Sequence, residues 1–280
     1  MLIKPVLPPT DQEIEEICRI INETLGFNYT SQKKYLIESR LNKRLLQLEI
    51  DNYQSYLDLL KQDRNERHNL FELLTTNVTS FFREPVQFEY LADTLLPRFA
   101  TEKKGPKKLR CWSAGSSSGE EAYSIAITCR ETLGNNWDVK VLATDISVEQ
   151  LKIGSVGSFP REKLASVPPQ WRAKYFRPDQ ANPDHFQVIP ELRNDVLFRV
   201  ANLLDNDSLP SRIRLDIIFC RNVFIYLSKE ARTQILDYFY HRLHTEGYLF
   251  LGHSESIDTT SDHRWLSLGK SIYQKRQVFS

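Results

Sequence analysis

The chain has 280 residues, 41% apolar and 26% charged, with a formal net charge of +1. That length accommodates one large or two modest globular domains with a sizeable core, and the near-zero charge gives no global field for nucleic acid, so any basic surface must be local. No apolar run approaches the length of a membrane span, and the opening MLIKPVLPPT is too short and too broken by proline for a signal peptide, so the expectation is a cytoplasmic protein without membrane insertion.

Residues 11–74 read as helical. Ile14, Ile17, Ile20 and Ile21 recur at helical spacing, followed by Ile37, Leu41, Leu45 and Leu48, then Tyr56, Leu57, Leu59 and Leu60, then Leu70, Leu73 and Leu74. Gly26 and Asp51-Asn52 punctuate the pattern as breaks between helices. The expectation is a helical N-terminal domain over 1–75, followed by a linker and a second domain over 76–280. TTNVTSFFREP, a helix-like stretch from Val86 to Phe99 and a basic loop, TEKKGPKK, fill 75–108. From Leu109 short apolar runs alternate with helical stretches. The runs are 109–112, 139–145, 196–202, 215–222 and 248–254, with helices at 119–133, 147–152 and 228–244. This alternation predicts an α/β fold with a parallel sheet covered by helices. SIYQKRQVF (271–279) suits a final antiparallel strand, and the proline-rich stretch 155–195 reads as an inserted subdomain. Cys18, Cys111, Cys129 and Cys220 form no CxxC pair and read as buried reduced thiols, with no metal site expected.

The most informative segment is CWSAGSSSGEEAYSIAI. A strand ends at Trp112, a small-residue loop follows, and a helix begins near Gly119. In doubly wound sheets this first strand-to-helix turn is where a nucleotide-like ligand lies, although a glycine loop alone reads equally as a flexible turn. The loop lacks GK[ST], which argues against a P-loop phosphate cradle. Glu120 and Glu121 complement the helix dipole; they would also repel a pyrophosphate while suiting a cationic or zwitterionic ligand. Asp145, closing VLATD, can accept ribose hydroxyls or cap the following helix.

In the same order, TTNVTSFFREP, WSAGSSSGEEAYSIA, ATDIS, FCRNVFIYL and GYLFLGHSES closely resemble the chemotaxis receptor glutamate methyltransferases of the CheR type, over roughly residues 75–255. The resemblance implies a Rossmann-like S-adenosylmethionine-dependent methyltransferase domain with a helical N-terminal domain and a small inserted β-subdomain. It implies S-adenosyl-L-methionine as donor and S-adenosyl-L-homocysteine as product. Donor contacts would come from Asn77, Thr79, Arg83 and Glu121. Asp145 would hold the ribose, Asn202 and Leu203 would lie beside the adenine, and Arg221 and Asn222 would close the fourth strand. Arg83 and Tyr226 would be nearest the chemistry. The partner implied is the cytoplasmic helical region of methyl-accepting chemotaxis receptors. The stretch RPDQANPDHFQV (177–188) lacks the glycine-bearing loop of those members that dock a receptor's C-terminal pentapeptide.

The chemistry is consistent with the residues. A glutamate carboxylate is an anion at neutral pH, so attack on a sulfonium methyl needs no general base, and no Ser-His-Asp or reactive-cysteine arrangement is present. Arg83 suits a carboxylate through its planar guanidinium, or forms a surface ion pair; Tyr226 points into the donor pocket or is a core aromatic. Lys33, Arg40 and Arg44 fall on one helix face. That face is either solvated or an electrostatic dock for an acidic receptor bundle, which salt would weaken. A non-catalytic sensor of the same donor is a competing reading. An enzyme of the nucleic-acid amine-methylating kind commonly carries Asn/Asp-Pro-Pro-aromatic where this chain has CRNVFIY.

Overall fold

The computed structural model describes residues 5–102 and 105–277. The chain divides into two compact units. One comprises residues 1–76 with 226–234, the other 77–225 with 235–280.

The first unit is built on four helices, α1 (Asp11–Leu25), α2 (Lys34–Gln47), α3 (Tyr53–Gln62) and α4 (Arg64–Leu74), with a 3-10 turn at Ser31–Lys33 leading into α2. Their boundaries follow from capping chemistry. Thr10 and Glu13 form a reciprocal capping box at the start of α1, and Gly26 ends it in the left-handed region, at φ 67°. Asn52 caps α3 and Asp63 caps α4 through their side-chain oxygens. Helix α1 packs on α3, α2 on α4, and α3 on α4. Ile14, Ile17, Ile21, Ile37, Leu41, Leu45, Tyr56, Leu60 and Leu70 are buried between them, so one apolar stripe per helix suffices to make this core.

The second unit opens with an irregular segment, 77–84. A continuous helix follows, made of α5 (Pro85–Tyr90), a π turn (Leu91–Leu95) and α6 (Leu96–Glu102). Then come β1 (Lys108–Ala114), α7 (Glu120–Leu133), β2 (Asp138–Asp145) and α8 (Val148–Val156). The inserted stretch follows, with β3 (Ser158–Pro160), α9 (Pro169–Tyr175), β4 (Phe176–Pro178), β5 (His185–Val188) and α10 (Pro190–Arg193). The remaining elements are β6 (Val196–Val200), β7 (Leu215–Cys220), α11 (Lys229–Arg242), β8 (Leu243–Leu251), β9 (Trp265–Ser267) and β10 (Ile272–Lys275). The main sheet has the order β6-β2-β1-β7-β8-β10-β9. Its first five strands pair in parallel, and β10 and β9 are antiparallel additions. Every residue of β7 is buried, as expected of a central parallel strand covered on both faces. The strand order reverses beside β1, where β2 lies on one side and β7 on the other. A crevice at the carboxyl ends of β1, β2 and β7 is therefore the place where this architecture accepts a ligand.

Three sequence expectations shift. The closing strand is shorter than 271–279 and ends at Lys275, and Phe279 lies outside the described residues. Strand β8 begins at Leu243 rather than 248, and β9 was too short to show a period. The basic loop contributes Thr101 and Glu102 to α6 and Lys108 to β1. The insertion is a small three-stranded antiparallel sheet of order β3-β5-β4.

Candidate active site

At the carboxyl end of β1 the chain turns through Gly115 and Gly119, both at positive φ (78° and 90°). A Cβ on Gly115 would sit 2.6 Å from Val223 Cγ2, and one on Gly119 would sit 2.8 Å from the Phe198 ring. Both positions therefore need glycine for conformation and for space. Between them Ser117 also takes a left-handed conformation, at φ 48°. Its N–H donates to Asp145 Oδ2 at 2.8 Å, while the N–H groups of Gly115 and Ser116 donate to Thr144 O at 2.8 Å. The loop is thus hung from the end of β2.

Asp145 is not the cap of α8. Ser147 takes that role, accepting from Gln150 N at 3.2 Å, and Asp145 Oδ1 accepts from Ser147 N at 2.9 Å. A carboxylate oxygen accepts more than one hydrogen bond, so Asp145 can hold the loop and still receive vicinal hydroxyls.

The segment 77–84 has no regular secondary structure, and side chains of the same unit satisfy its backbone. Asn77 O accepts from Ser117 Oγ at 3.2 Å, Thr79 O from Lys163 Nζ at 3.0 Å, and Phe81 O from Ser166 Oγ at 2.8 Å. Phe82 N donates to Ser124 Oγ at 3.0 Å, and Arg83 O accepts a short bond from Arg221 Nη2. Phe81 packs edge-on against Phe159 and Phe176 of the inserted sheet, and Phe82 packs edge-on against Phe88 and tilted against Trp171. Phe82 and Glu84 sit at φ 50° and 58°. Non-glycine residues adopt this region at a cost and persist there when their surroundings over-determine them. Asn222, at φ 61°, is a further case.

The electrostatic centre is Arg221, whose side chain is 2% exposed. Its guanidinium spans Glu84 (3.1 Å) and Glu121 (3.2 Å) and lies over the Phe88 ring. Glu121 also accepts from Ser113 Oγ at 2.6 Å. Burial pushes the Glu121 carboxyl above its ordinary range, and Arg221 and Ser113 only partly offset it. Burial also pushes on Glu84, but there Arg221 wins and the carboxyl is held below its ordinary range. Two carboxylates around one guanidinium leave an excess of negative charge beside the loop. Glu120 does not add to it. It is fully buried and paired with Lys163 at 2.7 Å and Ser118 Oγ at 2.7 Å, so its charge is compensated internally rather than offered to a ligand.

The other expected residues fall as follows. Arg83 is exposed and donates to Val78 O at 3.1 Å. Asn202 follows β6, with Oδ1 accepting from Leu204 N at 3.1 Å, and Leu203 is half-buried. Tyr226 lies in the helical unit, its ring 5.9 Å from that of Phe27 and its carbonyl accepting from Asn28 N at 2.9 Å. Two of the residues on the expected docking face are engaged within their own unit. Arg40 donates to Leu73 O and Thr75 O at 3.0 and 2.8 Å, and Arg44 forms a two-pronged bond with the buried Glu66 at 2.9 and 2.5 Å. These arginines join α2 to α4. Of the three residues only Lys33 is exposed, because the acceptors that draw the other two inward lie over twenty residues away in sequence.

Sequence reasoning missed three participants. Lys163 of the insertion bonds both Thr79 O and Glu120. Glu84 and Glu255 lie inside motifs, FFREP and GHSES, whose spacing gives no hint that they reach Arg221 and the backbone of Asn222.

Sequence comparison decides the family. The CheR methyltransferase SAM binding domain matches residues 77–272, and the CheR methyltransferase all-alpha domain matches residues 12–75. The chain belongs to the CheR methyltransferase family. It is 36% identical to a chemotaxis protein methyltransferase of Borreliella burgdorferi, over 89% of each chain. It is 37% identical to chemotaxis protein methyltransferase 2 of Pseudomonas aeruginosa, over 94% of this chain and 93% of that one. Identity is likewise 37% to the chemotaxis protein methyltransferase of Salmonella typhimurium, over 94% and 90%. This CheR chain therefore carries an S-adenosylmethionine-binding domain, and the residues at the carboxyl ends of β1, β2 and β7 fit that ligand. The loop has no lysine for phosphates, its surroundings carry excess negative charge, and two buried polar atoms, Ser116 Oγ and Arg221 Nε, have no partner among the described residues. Among the described residues no helix is long and apolar enough to cross a membrane, and no cluster of metal-ligating side chains occurs.

Proposed function

We propose that this methyltransferase esterifies glutamate side chains in the cytoplasmic helical region of methyl-accepting chemotaxis receptors, acting in the cytoplasm. The observation that carries this reading is the match of both family domains, in order along the chain, with the Asp145 loop inside the second. Asp145 takes the ribose hydroxyls. Asn77, Thr79, Glu121, Arg221 and Asn222 line the donor, with Asn202 and Leu203 beside the adenine. Arg83 and Tyr226 are the catalytic residues, Arg83 turning its guanidinium to the incoming carboxylate.

The donor supplies a methyl group activated by a positively charged sulfur. The acceptor oxygen is already anionic at neutral pH. Its lone pair forms the new C–O bond as the C–S bond breaks, so two opposite charges are neutralised and no proton moves. What the protein supplies is alignment, which in well-oriented reactions is worth about 7–11 kcal/mol. The irregular segment 77–84 suits that task, since side chains on several elements pin its backbone. The test is a receptor-fragment methylation assay. Arg83→Ala and Tyr226→Phe should each lower turnover at least tenfold while the melting temperature moves little. Wild-type turnover in both variants would remove the catalytic assignment.

A further inference from the structure

We propose that Glu255 is a positioning residue for the donor site, acting through Asn222; this rests on the methyl-donor reading above. Glu255 follows β8, is 4% exposed, and turns its carboxylate toward the loop after β7. Oε2 accepts from Asn222 N at 2.9 Å and from Gly252 N at 2.6 Å, and Oε1 accepts from Ile225 N at 3.2 Å. All three partners are main-chain N–H groups. A buried carboxyl is tolerated where its oxygens are well used as acceptors. The loop 221–225 has no strand ladder of its own, so one side chain does for it what a sheet neighbour does for a strand.

The anchor is itself held from the far side. Glu255 N donates to Gly252 O at 2.9 Å, and Glu255 O accepts from Ser271 Oγ at 3.0 Å, just before β10. A second observation is independent of these bonds. A Cβ on Gly252 would sit 2.7 Å from Asn222 Nδ2 and 2.8 Å from Glu255 Oε2. Gly252 and Glu255 thus form a close cradle around Asn222, which is held at φ 61° beside Arg221. That conformation is unfavourable for asparagine outside such a cradle, though less so than for most residues. The chemistry follows from the acceptor count. A carboxamide at 255 keeps one acceptor oxygen and turns an NH₂ toward main-chain N–H groups, so at least one of them loses its partner. The loop then relaxes, and Asn222 moves relative to the donor.

The test is calorimetric titration of the full chain with S-adenosylhomocysteine, reading both affinity and stoichiometry. A positioning role predicts that Glu255→Gln weakens binding roughly tenfold at full stoichiometry, with KM for the donor rising in parallel. Gly252→Ala should show the same signature, because it crowds Asn222 directly. Should the Gln variant be too unstable to titrate, Glu255→Asp shortens the reach by one methylene and should weaken binding about threefold. Exposed Glu23→Gln is the control and should leave affinity unchanged. Reduced stoichiometry at unchanged affinity, or unchanged affinity in both Glu255→Gln and Gly252→Ala, would overturn the positioning role. Failure of the wild-type chain to bind would instead overturn the donor reading, and the role with it.

Discussion

Single side chains carry most of the site's chemistry, and Asp145 is the plainest example. Its carboxylate holds the Ser117 N–H and the Ser147 N–H, so Asp145→Asn should weaken S-adenosylhomocysteine binding by tenfold or more. An isothermal titration beside a melting curve separates this loss from any unfolding. Glu121 gives a pH signature. Its carboxyl sits above the ordinary range through burial, so on acidification it takes up a proton earlier than an ordinary glutamate does. Donor affinity should therefore hold near neutrality and fall while exposed carboxylates are still ionised. In Glu121→Gln the affinity should be lower at neutral pH, and this part of the profile should flatten. Titrations across pH 5 to 8 check both points. A good part of the residue scale was legible in the sequence. The two glycines, the absence of a phosphate-binding lysine and the acidic end of VLATD all lie within one short loop or at one strand end. Pairings between distant residues were not legible. Nothing local says that Glu120 is neutralised by Lys163 or that Arg221 bridges Glu84 and Glu121, because these contacts exist only once the sheet has formed.

Among the elements, helix α2 shows what a charge pattern leaves out. Lys33, Arg40 and Arg44 share a face in the sequence, yet Arg44 is committed to Glu66, which also accepts from Tyr56 Oη at 3.0 Å. Burial alone would raise the Glu66 carboxyl. Its bonds to Arg44, Asn69 and Tyr56 outweigh burial and hold it below the ordinary range. A carboxyl lowered on folding contributes stability that is present above its unfolded value and is lost as pH falls through the folded one. Breaking the pair by Arg44→Met strands the buried carboxylate, which costs about 2–3 kcal/mol once the partial exposure of Arg44 is allowed for. Chemical denaturation should show that loss at neutral pH and much less of it in acid, where Glu66 is protonated in both proteins. The strands were easier to read. LDIIFC is apolar at every position but Asp216 because β7 is covered on both faces, whereas β3, β4 and β9 have three residues each and are too short for any period to emerge. Only the family resemblance anticipated the inserted sheet. Its contribution to segment 77–84, through Lys163, Ser166, Phe159 and Phe176, emerges from the assembled unit.

At the scale of the whole molecule, the chain joins a helical unit to a donor-binding α/β unit, and matches CheR relatives over about nine-tenths of its length. The chemistry assigned to it needs an anionic oxygen, a cationic methyl donor and alignment, and no proton transfer. The most direct measurement is incubation of the full chain with methyl-labelled S-adenosylmethionine and cytoplasmic receptor fragments, followed by mild base and peptide mapping. The account predicts label on glutamate side chains that mild base releases as methanol. Label that resists base, or that appears on lysine, arginine or nucleic acid instead, would contradict it.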